Sequence, residues 1–252
     1  MIRRENKVNE HNPSRSRVIP GLIAVVGCDG TGKSTLTLDL VKMLNQYRVT
    51  ERRYLGLVSG EDGDKIKRVP FIGIWLERYL ATRSSKNQNM STHSPALWVA
   101  FIMYLFSLRR RAKLRHVLHL SQRGVWVISD RYPQAEISGF HYDGPGIGVD
   151  RVTGWFLTHL AKREKRLYQQ MALYRPALVI RLGIDIDTAF SRKPDHDYDE
   201  LRDKIAVMER IHYNDATIVE LDARAPYGDV LDKALNAVLS VAEISSVRKP
   251  ML

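Results

Sequence analysis

The run Gly27-Cys-Asp-Gly-Thr-Gly-Lys33-Ser34-Thr35 directly follows the apolar stretch Leu22-Ile-Ala-Val-Val, and it constrains this chain more than any other segment. It matches G-x-x-x-x-G-K-[ST] in full, in the strand-to-helix context that gives the motif its meaning. Glycines let the backbone turn tightly, so successive N–H groups converge on phosphate oxygens at the positive end of a helix that begins near Lys33. On this reading Gly27, Asp29, Gly30, Thr31, Gly32, Lys33, Ser34 and Thr35 form the nucleotide-binding set, with ATP and Mg²⁺ as the implied ligands. Lys33 is suited to reach the β- and γ-phosphates and the Ser34 hydroxyl to ligate Mg²⁺; Thr35 starts the helix or touches an outer phosphate. The plain alternative is a Gly-rich turn with no ligand.

The rest of the chain alternates short apolar runs with longer segments of helical period, the pattern of a parallel sheet wrapped by helices. Five strands are expected, at Leu22–Val26, Arg53–Val58, Val125–Ser129, Ala177–Leu182 and Thr217–Leu221. Helices are expected at Lys33–Tyr47, Phe71–Thr82, Pro95–Gln122, Asp150–Leu173, Asp199–Tyr213 and Asp229–Val241. Gly-rich or charged stretches at Ser59–Arg68 and Ser191–Tyr198 read as mobile loops. The expected fold class is therefore α/β, a P-loop NTPase fold with a five-stranded parallel sheet flanked by helices and a short lid. The expected organisation is a disordered basic tail over 1–18, one P-loop domain over 19–245 and a C-terminal tail over 246–252.

Composition narrows the classes further. With 252 residues, 44% of them apolar, the chain can bury a substantial core. Lys and Arg exceed Asp and Glu by 39 − 28 = 11, so the surface attracts phosphate, nucleic acid or anionic lipid without choosing among them. The lone cysteine, Cys28, makes no internal disulfide, and a cytoplasmic address is the default expectation. The apolar run Ala96–Leu108 is shorter than the roughly 20 residues that cross a bilayer and reads as a buried helix, so no membrane partner is expected. The first eighteen residues lack an apolar signal core, and Glu5 and Glu10 disfavour a mitochondrial presequence. A switch-type GTPase is disfavoured, because the closest approach to N-K-x-D, Asn6-Lys7-Val8-Asn9, precedes the loop and ends in the wrong residue. Asp143-Gly-Pro-Gly146 fits D-x-x-G but reads as a turn without the guanine motif, and no L-S-G-G-Q stretch supports a transporter ATPase.

A second cluster follows at Val127-Ile-Ser129-Asp130-Arg131-Tyr132, at the carboxyl end of an expected strand. A carboxylate beside the phosphate loop can hold Mg²⁺ through water, and a neighbouring Arg can clamp an acceptor phosphate; the alternative is a helix-capping Asp with a surface Arg. Upstream stands Leu105-Phe106-Ser107-x-x-Arg110, and the i, i+4 spacing of Phe106 and Arg110 puts both on one helix face. Taken together, these segments resemble the L-F-x-x-x-R…G…D-R-Y signature of the thymidylate kinases. The resemblance implies a homodimeric nucleotide kinase in which Phe106 stacks on the acceptor base, Arg110 and Arg131 contact the acceptor, and Asp130 organises the metal with Ser34. It also implies that Asp29 faces the acceptor sugar. Because Gly30 follows Asp29, the resemblance assigns the catalytic cation to the lid, where Arg192 and Lys193 are candidates and Arg202 and Lys204 weaker ones. Phe106 has a second reading as core, Asp29 as a loop-stabilising turn residue, and the lid cations as a solvated loop.

The resemblance departs on the acceptor side. The family's T-R-E-P-G stretch is replaced by Tyr54-Leu-Gly-Leu-Val-Ser-Gly-Glu-Asp-Gly-Asp, leaving Arg52, Arg53 or Arg68 as possible substitutes for its arginine. After D-R-Y come Pro133-Gln134-Ala135-Glu136 and later His141-Tyr142-Asp143, in place of the family's base-reading residues. The expected activity is ATP-dependent phosphoryl transfer to a small-molecule acceptor, a nucleoside monophosphate such as thymidylate. Lys33, Asp130, Arg131, Arg192 and Lys193 are the candidate catalytic set. The rivals are a P-loop kinase of a nucleoside, sugar or other metabolite, and a non-catalytic ATP-binding module associated with nucleic acid, the last ranked lowest.

Overall fold

The computed structural model describes residues 16–57, 97–137 and 146–247. Five strands form one sheet: β1 (Arg17–Gly27), β2 (Thr50–Tyr54), β3 (Trp126–Asp130), β4 (Tyr174–Gly183) and β5 (Ile218–Asp222). They lie in the order β2-β3-β1-β4-β5, and each neighbouring pair is parallel. The described helices are α1 (Lys33–Leu44), α2 (Leu97–Gln122), α3 (Trp155–Ala172), α4 (Ile186–Arg192), α5 (Tyr198–Met208) and α6 (Tyr227–Val247), with a 3₁₀ turn at Val149–Arg151. This is the α/β fold that the strand and helix periods imply.

Strand periodicity explains why β1 is apolar throughout its second half. Leu22, Ala24 and Val26 face a core shared with Leu114 and Val117 of α2 and Tyr168 and Met171 of α3. Ile23 and Val25 face the opposite core, shared with Leu36, Leu40 and Leu44 of α1 and Val230, Ala234 and Val238 of α6. A strand covered by helices on both faces has no polar side to show. The central strand β1 lies between β3 and β4, so the carboxyl ends of β1 and β3 stand together at the switch point where doubly wound sheets bind ligands.

Several boundaries depart from expectation for local reasons. β2 covers Thr50–Tyr54 rather than Arg53–Val58. It is an edge strand whose pairing starts where Thr50 meets Trp126, and Asn45 fixes that start by bonding Thr50 through both its amide groups. β1 extends back to Arg17, so Arg17 and Val18, expected in the tail, pair with Tyr174 and Arg175. The extension crosses a register shift at Gly21, whose φ of 73° accompanies a close approach: a Cβ there would sit 2.7 Å from the Trp126 ring. At the other end α6 runs to Val247, past the expected start of the C-terminal tail at 246.

The expected helix Asp150–Leu173 is a 3₁₀ turn followed by α3, separated at Gly154, where φ is 90°. The expected loop Ser191–Tyr198 narrows to 193–197, between the end of α4 at Arg192 and the start of α5 at Tyr198, and the sequence reading gave no helix at α4. Asp185 caps α4 by accepting from the Thr188 amide at 2.9 Å and the Thr188 hydroxyl at 2.7 Å. α5 stops at Met208 rather than Tyr213: Arg210 and Ile211 bond back three residues to Val207 and Met208, and Tyr213, Asn214 and Asp215 then take left-handed φ values. The expected helix Phe71–Thr82, the loop Ser59–Arg68, Pro95, His141, Tyr142 and Asp143 lie outside the described residues. No helix among the described residues is long and apolar enough to cross a membrane.

Candidate functional site

Gly27 ends β1, and the chain turns through Gly30 and Gly32, with φ of 87° and 83°, before α1 begins at Lys33. The first turn of α1 carries no acidic residue, so its positive end faces the loop uncompensated by a carboxylate of its own. Thr31 Oγ1 and Lys33 Nζ both donate to the Cys28 carbonyl, at 2.9 and 2.5 Å, closing the loop on itself. Burial, with the nearby Arg131 cation adding to it, pushes the Lys33 ammonium down to about 8 against the opposing pull of Asp29 and Asp130. Burial likewise pushes the Cys28 thiol up.

Four side chains close a ring beside this loop. Ser34 Oγ donates to Asp130 Oδ2 at 2.9 Å, and Arg52 Nη2 meets the same oxygen at 2.8 Å. Arg52 Nε donates to Thr37 Oγ1 at 2.8 Å, and Thr37 Oγ1 in turn donates to the Ser34 carbonyl at 2.9 Å. The ring joins the first turns of α1, the middle of β2 and the last residue of β3. Asp130 is 1% exposed, so it needs these partners to remain a buried carboxylate. Ser34 and Asp130 thus stand together as expected. Of the three arginines that the sequence offers, Arg52 reaches them and Arg53 pairs instead with Glu51; Arg68 lies outside the described residues. Thr37 escaped notice because it lies one helical turn beyond the motif.

A second cluster forms around Asp29. Arg131 Nη2 bonds Asp29 Oδ1 at 2.8 Å, and Lys204 Nζ of α5 bonds Asp29 Oδ2 at 3.2 Å. Burial alone would raise the Asp29 carboxyl; the cations of Arg131, Lys33 and Lys204 instead hold it well below the usual carboxylate range. Arg131 takes φ of 71°, unusual for a residue with a Cβ. The turn leaves Arg131 on Asp29 while Tyr132 is buried, its hydroxyl donating to the Tyr174 carbonyl at 2.6 Å. Such strained backbone is characteristic of functional sites.

The lid residues divide. Arg192 Nη1 donates to the carbonyls of Gly30 at 3.2 Å and Ala223 at 3.1 Å, tying α4 to the phosphate loop. A Cβ on Gly30 would lie 3.3 Å from the Ala189 carbonyl and 3.6 Å from Lys193 Cγ, so the glycine permits this approach. Lys193 is exposed beside it. Arg202 pairs outward with Asp199 and Asp203, whereas Lys204 reaches Asp29. Thr35 is exposed at the start of α1.

On α2, Phe106 is half-buried and Arg110 is 1% exposed, its guanidinium 5.7 Å from the Tyr168 ring centre. Ser107 Oγ donates to the buried carboxyl of Glu164 at 2.5 Å, and the Ile147 amide donates to its other oxygen at 2.7 Å. Burial raises the Glu164 carboxyl, against the lowering effect of these bonds. Arg110 therefore lies within an α2–α3 polar seam that no local motif announced. Among the described residues no group of three or more His, Cys, Asp or Glu could hold a metal by itself. Mg²⁺ in a phosphate site needs fewer, since one or two carboxylates and the substrate's phosphates complete its shell.

A parallel sheet with a phosphate loop at the end of its central strand, a Ser–Asp pair beside it and cations converging from strand ends and helices defines a P-loop NTPase fold. No family model matches the chain. Over 241 residues it is 67% identical to the "Uncharacterized ATP-binding protein YghR" of Escherichia coli K12, covering 96% of each chain. It is 43% identical over 232 residues to the "Uncharacterized ATP-binding protein YghS" of the same organism, covering 92% of this chain and 98% of that one. The chain belongs to the family of YghR and YghS. A thymidylate kinase of Blochmanniella pennsylvanica is 27% identical over 128 residues, about half of either chain at 51% and 52%.

Proposed function

We propose that this protein binds ATP with Mg²⁺ and transfers the γ-phosphoryl group to a nucleoside monophosphate, thymidylate or a related acceptor. The observation that carries the reading is the Ser34–Asp130 pair, 2.9 Å apart next to Lys33 at the N-terminus of α1. Two hard oxygen donors so close are the chemistry a Mg²⁺–phosphate complex uses, and Ser34 and Asp130 are the residues that would hold the ion. The ion would supply charge neutralisation across the β- and γ-phosphates. The names of YghR and YghS support ATP as donor, and the partial likeness to a thymidylate kinase supports a nucleotide as acceptor.

In the reaction an acceptor oxygen forms a bond to the γ-phosphorus as the bond to the β–γ bridging oxygen breaks; ADP leaves, and the acceptor's proton, where it carries one, goes to solvent. The protein's part is positional and electrostatic. The loop amides and Lys33 hold the donor phosphates, Arg52 keeps the Asp130 carboxylate oriented, Arg131 holds the acceptor, and the lid cations Arg192 and Lys193 offset charge on the transferring group. Lys33→Ala is expected to abolish ADP release with a panel of nucleoside monophosphates while the circular dichroism spectrum is unchanged. Turnover equal to that of the unaltered chain would refute the assignment.

Burial of Arg110 over Tyr168 favours a second reading, in which the acceptor is a nucleoside or another metabolite without a phosphate for that arginine to meet. The same panel extended to nucleosides and sugars separates the two by which acceptor supports ADP release.

A further inference from the structure

α5 offers two basic positions, Arg202 and Lys204, and treats them differently. Leu201 and Met208 bury one face of the helix, and Lys204, three residues after the first and four before the second, shares that face. Its side chain is 13% exposed, against 57% for Arg202, which stays with Asp199 and Asp203 on the outer surface. Turning an ammonium inward is costly unless a charge meets it. The charge that meets Lys204 is Asp29, contributed from 175 residues away by the phosphate loop. Lys204 takes Oδ2 and Arg131 takes Oδ1, so two cations on different elements fix both oxygens of one carboxylate.

This geometry limits what the carboxylate can do. Held from one side alone, Asp29 could rotate about its χ angles and carry Arg131 with it; held from both, it presents one orientation to whatever lies between the loop and Arg131. We propose that Lys204 is a positioning residue that acts through Asp29, fixing the Asp29–Arg131 pair for the phosphate acceptor rather than binding the ATP donor. The proposal rests on the kinase reading for its choice of ligand. Its consequence is a division of labour: Lys33 and the Ser34–Asp130 ring serve the donor, and Asp29, Arg131 and Lys204 serve the acceptor.

The test uses the full chain with Lys204→Met, Lys204→Arg, Asp29→Asn and the Asp29→Asn/Lys204→Met double variant. Calorimetry would measure Kd for a non-hydrolysable ATP analogue and for whichever nucleoside monophosphate binds the unaltered chain most tightly; kinetics would give kcat and acceptor KM. Lys204→Met is expected to weaken acceptor binding and raise its KM by about tenfold, leaving the analogue's Kd within about twofold, as for one lost charged hydrogen bond. Lys204→Arg should recover most of the loss, and the double variant should bind acceptor no worse than Asp29→Asn alone. An equal further loss when Lys204→Met is added to Asp29→Asn, a comparable fall in analogue affinity, or failure of every monophosphate to bind the unaltered chain overturns the proposal. Acceptor binding that behaves as expected in a chain that transfers no phosphoryl group leaves the positioning role standing and refutes the kinase reading alone.

Discussion

The donor end of the site and the α2–α3 seam are both polar and both largely buried, yet they are assembled in opposite ways. Around the phosphate loop the turn itself is fixed by contacts short in sequence, since Lys33 and Thr31 bond Cys28 and Thr37 bonds Ser34, while Asp130, Arg52, Arg131, Arg192 and Lys204 reach it from elsewhere. In the seam, Ser107 meets Glu164 across 57 residues, and Arg110 lies over Tyr168 of a different helix. The first region is a backbone cradle whose side chains decorate a turn that glycine makes possible. The second is held by packing: α2 and α3 must dock before its bonds exist. A substitution in the donor end should therefore remove chemistry and spare the fold, whereas one in the seam should cost stability first.

Asp130→Ala gives the largest effect that tests this contrast. It should lower phosphoryl transfer by about a thousandfold, the scale of losing one preorganised electrostatic partner. Urea unfolding should shift far less than the rate, and a loss of stability matching the loss of rate would break the comparison. Glu164→Leu is the counterpart in the seam. Leaving the Ile147 amide without its acceptor should cost about 2 kcal/mol of unfolding free energy, with ATP binding retained. An unchanged unfolding midpoint would show that the seam does not hold α2 to α3.

Phe106→Ala lies between the two regions and sharpens the boundary. It should raise the acceptor's KM about tenfold and leave that of ATP nearly unchanged, on the scale of about 1.4 kcal/mol per tenfold change. Equal effects on both substrates would assign Phe106 to the core. The smallest effect expected is that of Asp29→Asn on stability, about 1 kcal/mol near neutral pH. The Asp29 carboxyl is held below its unfolded value, so its contribution is present above the ordinary carboxylate range and lost as pH falls through and below it. The gap in melting temperature between the two chains should begin to narrow as pH falls below about 4 and go on narrowing at lower pH. A gap constant from pH 7 to pH 3 would mean that Asp29 gains nothing from Arg131 and Lys204.

Legibility followed the same division. The strand-loop-helix from Leu22 through α1 could be read directly, because glycine spacing and the apolar run each encode a local backbone path. The placement of Asp130 at the end of β3 was readable for the same reason. β2 was misplaced because an edge strand of sequence Thr-Glu-Arg-Arg-Tyr shows little apolar alternation, and its register is set by Trp126 and Asn45 rather than by its own residues. α4 was missed because seven residues give too short a window for a helical period, although Asp185 followed by Thr188 is a readable cap. Spacing from Leu201 and Met208 sets Lys204 apart from Arg202 on the inner face of α5, but nothing near it in sequence names Asp29 as its partner.

By itself, then, the chain's order of residues determined the α/β class, the strand that leads into the phosphate loop, the loop itself and the acidic strand end at Asp130, because each is written in a local run of residues. Only the tertiary structure decided which arginine reaches Asp130, which lid cation reaches Asp29 and that Arg110 is buried over Tyr168. Those choices depend on the angles at which separate helices and strands pack. A side chain's charge is written in the sequence, but its partner is fixed only when elements from distant parts of the chain come within about 3 Å of one another.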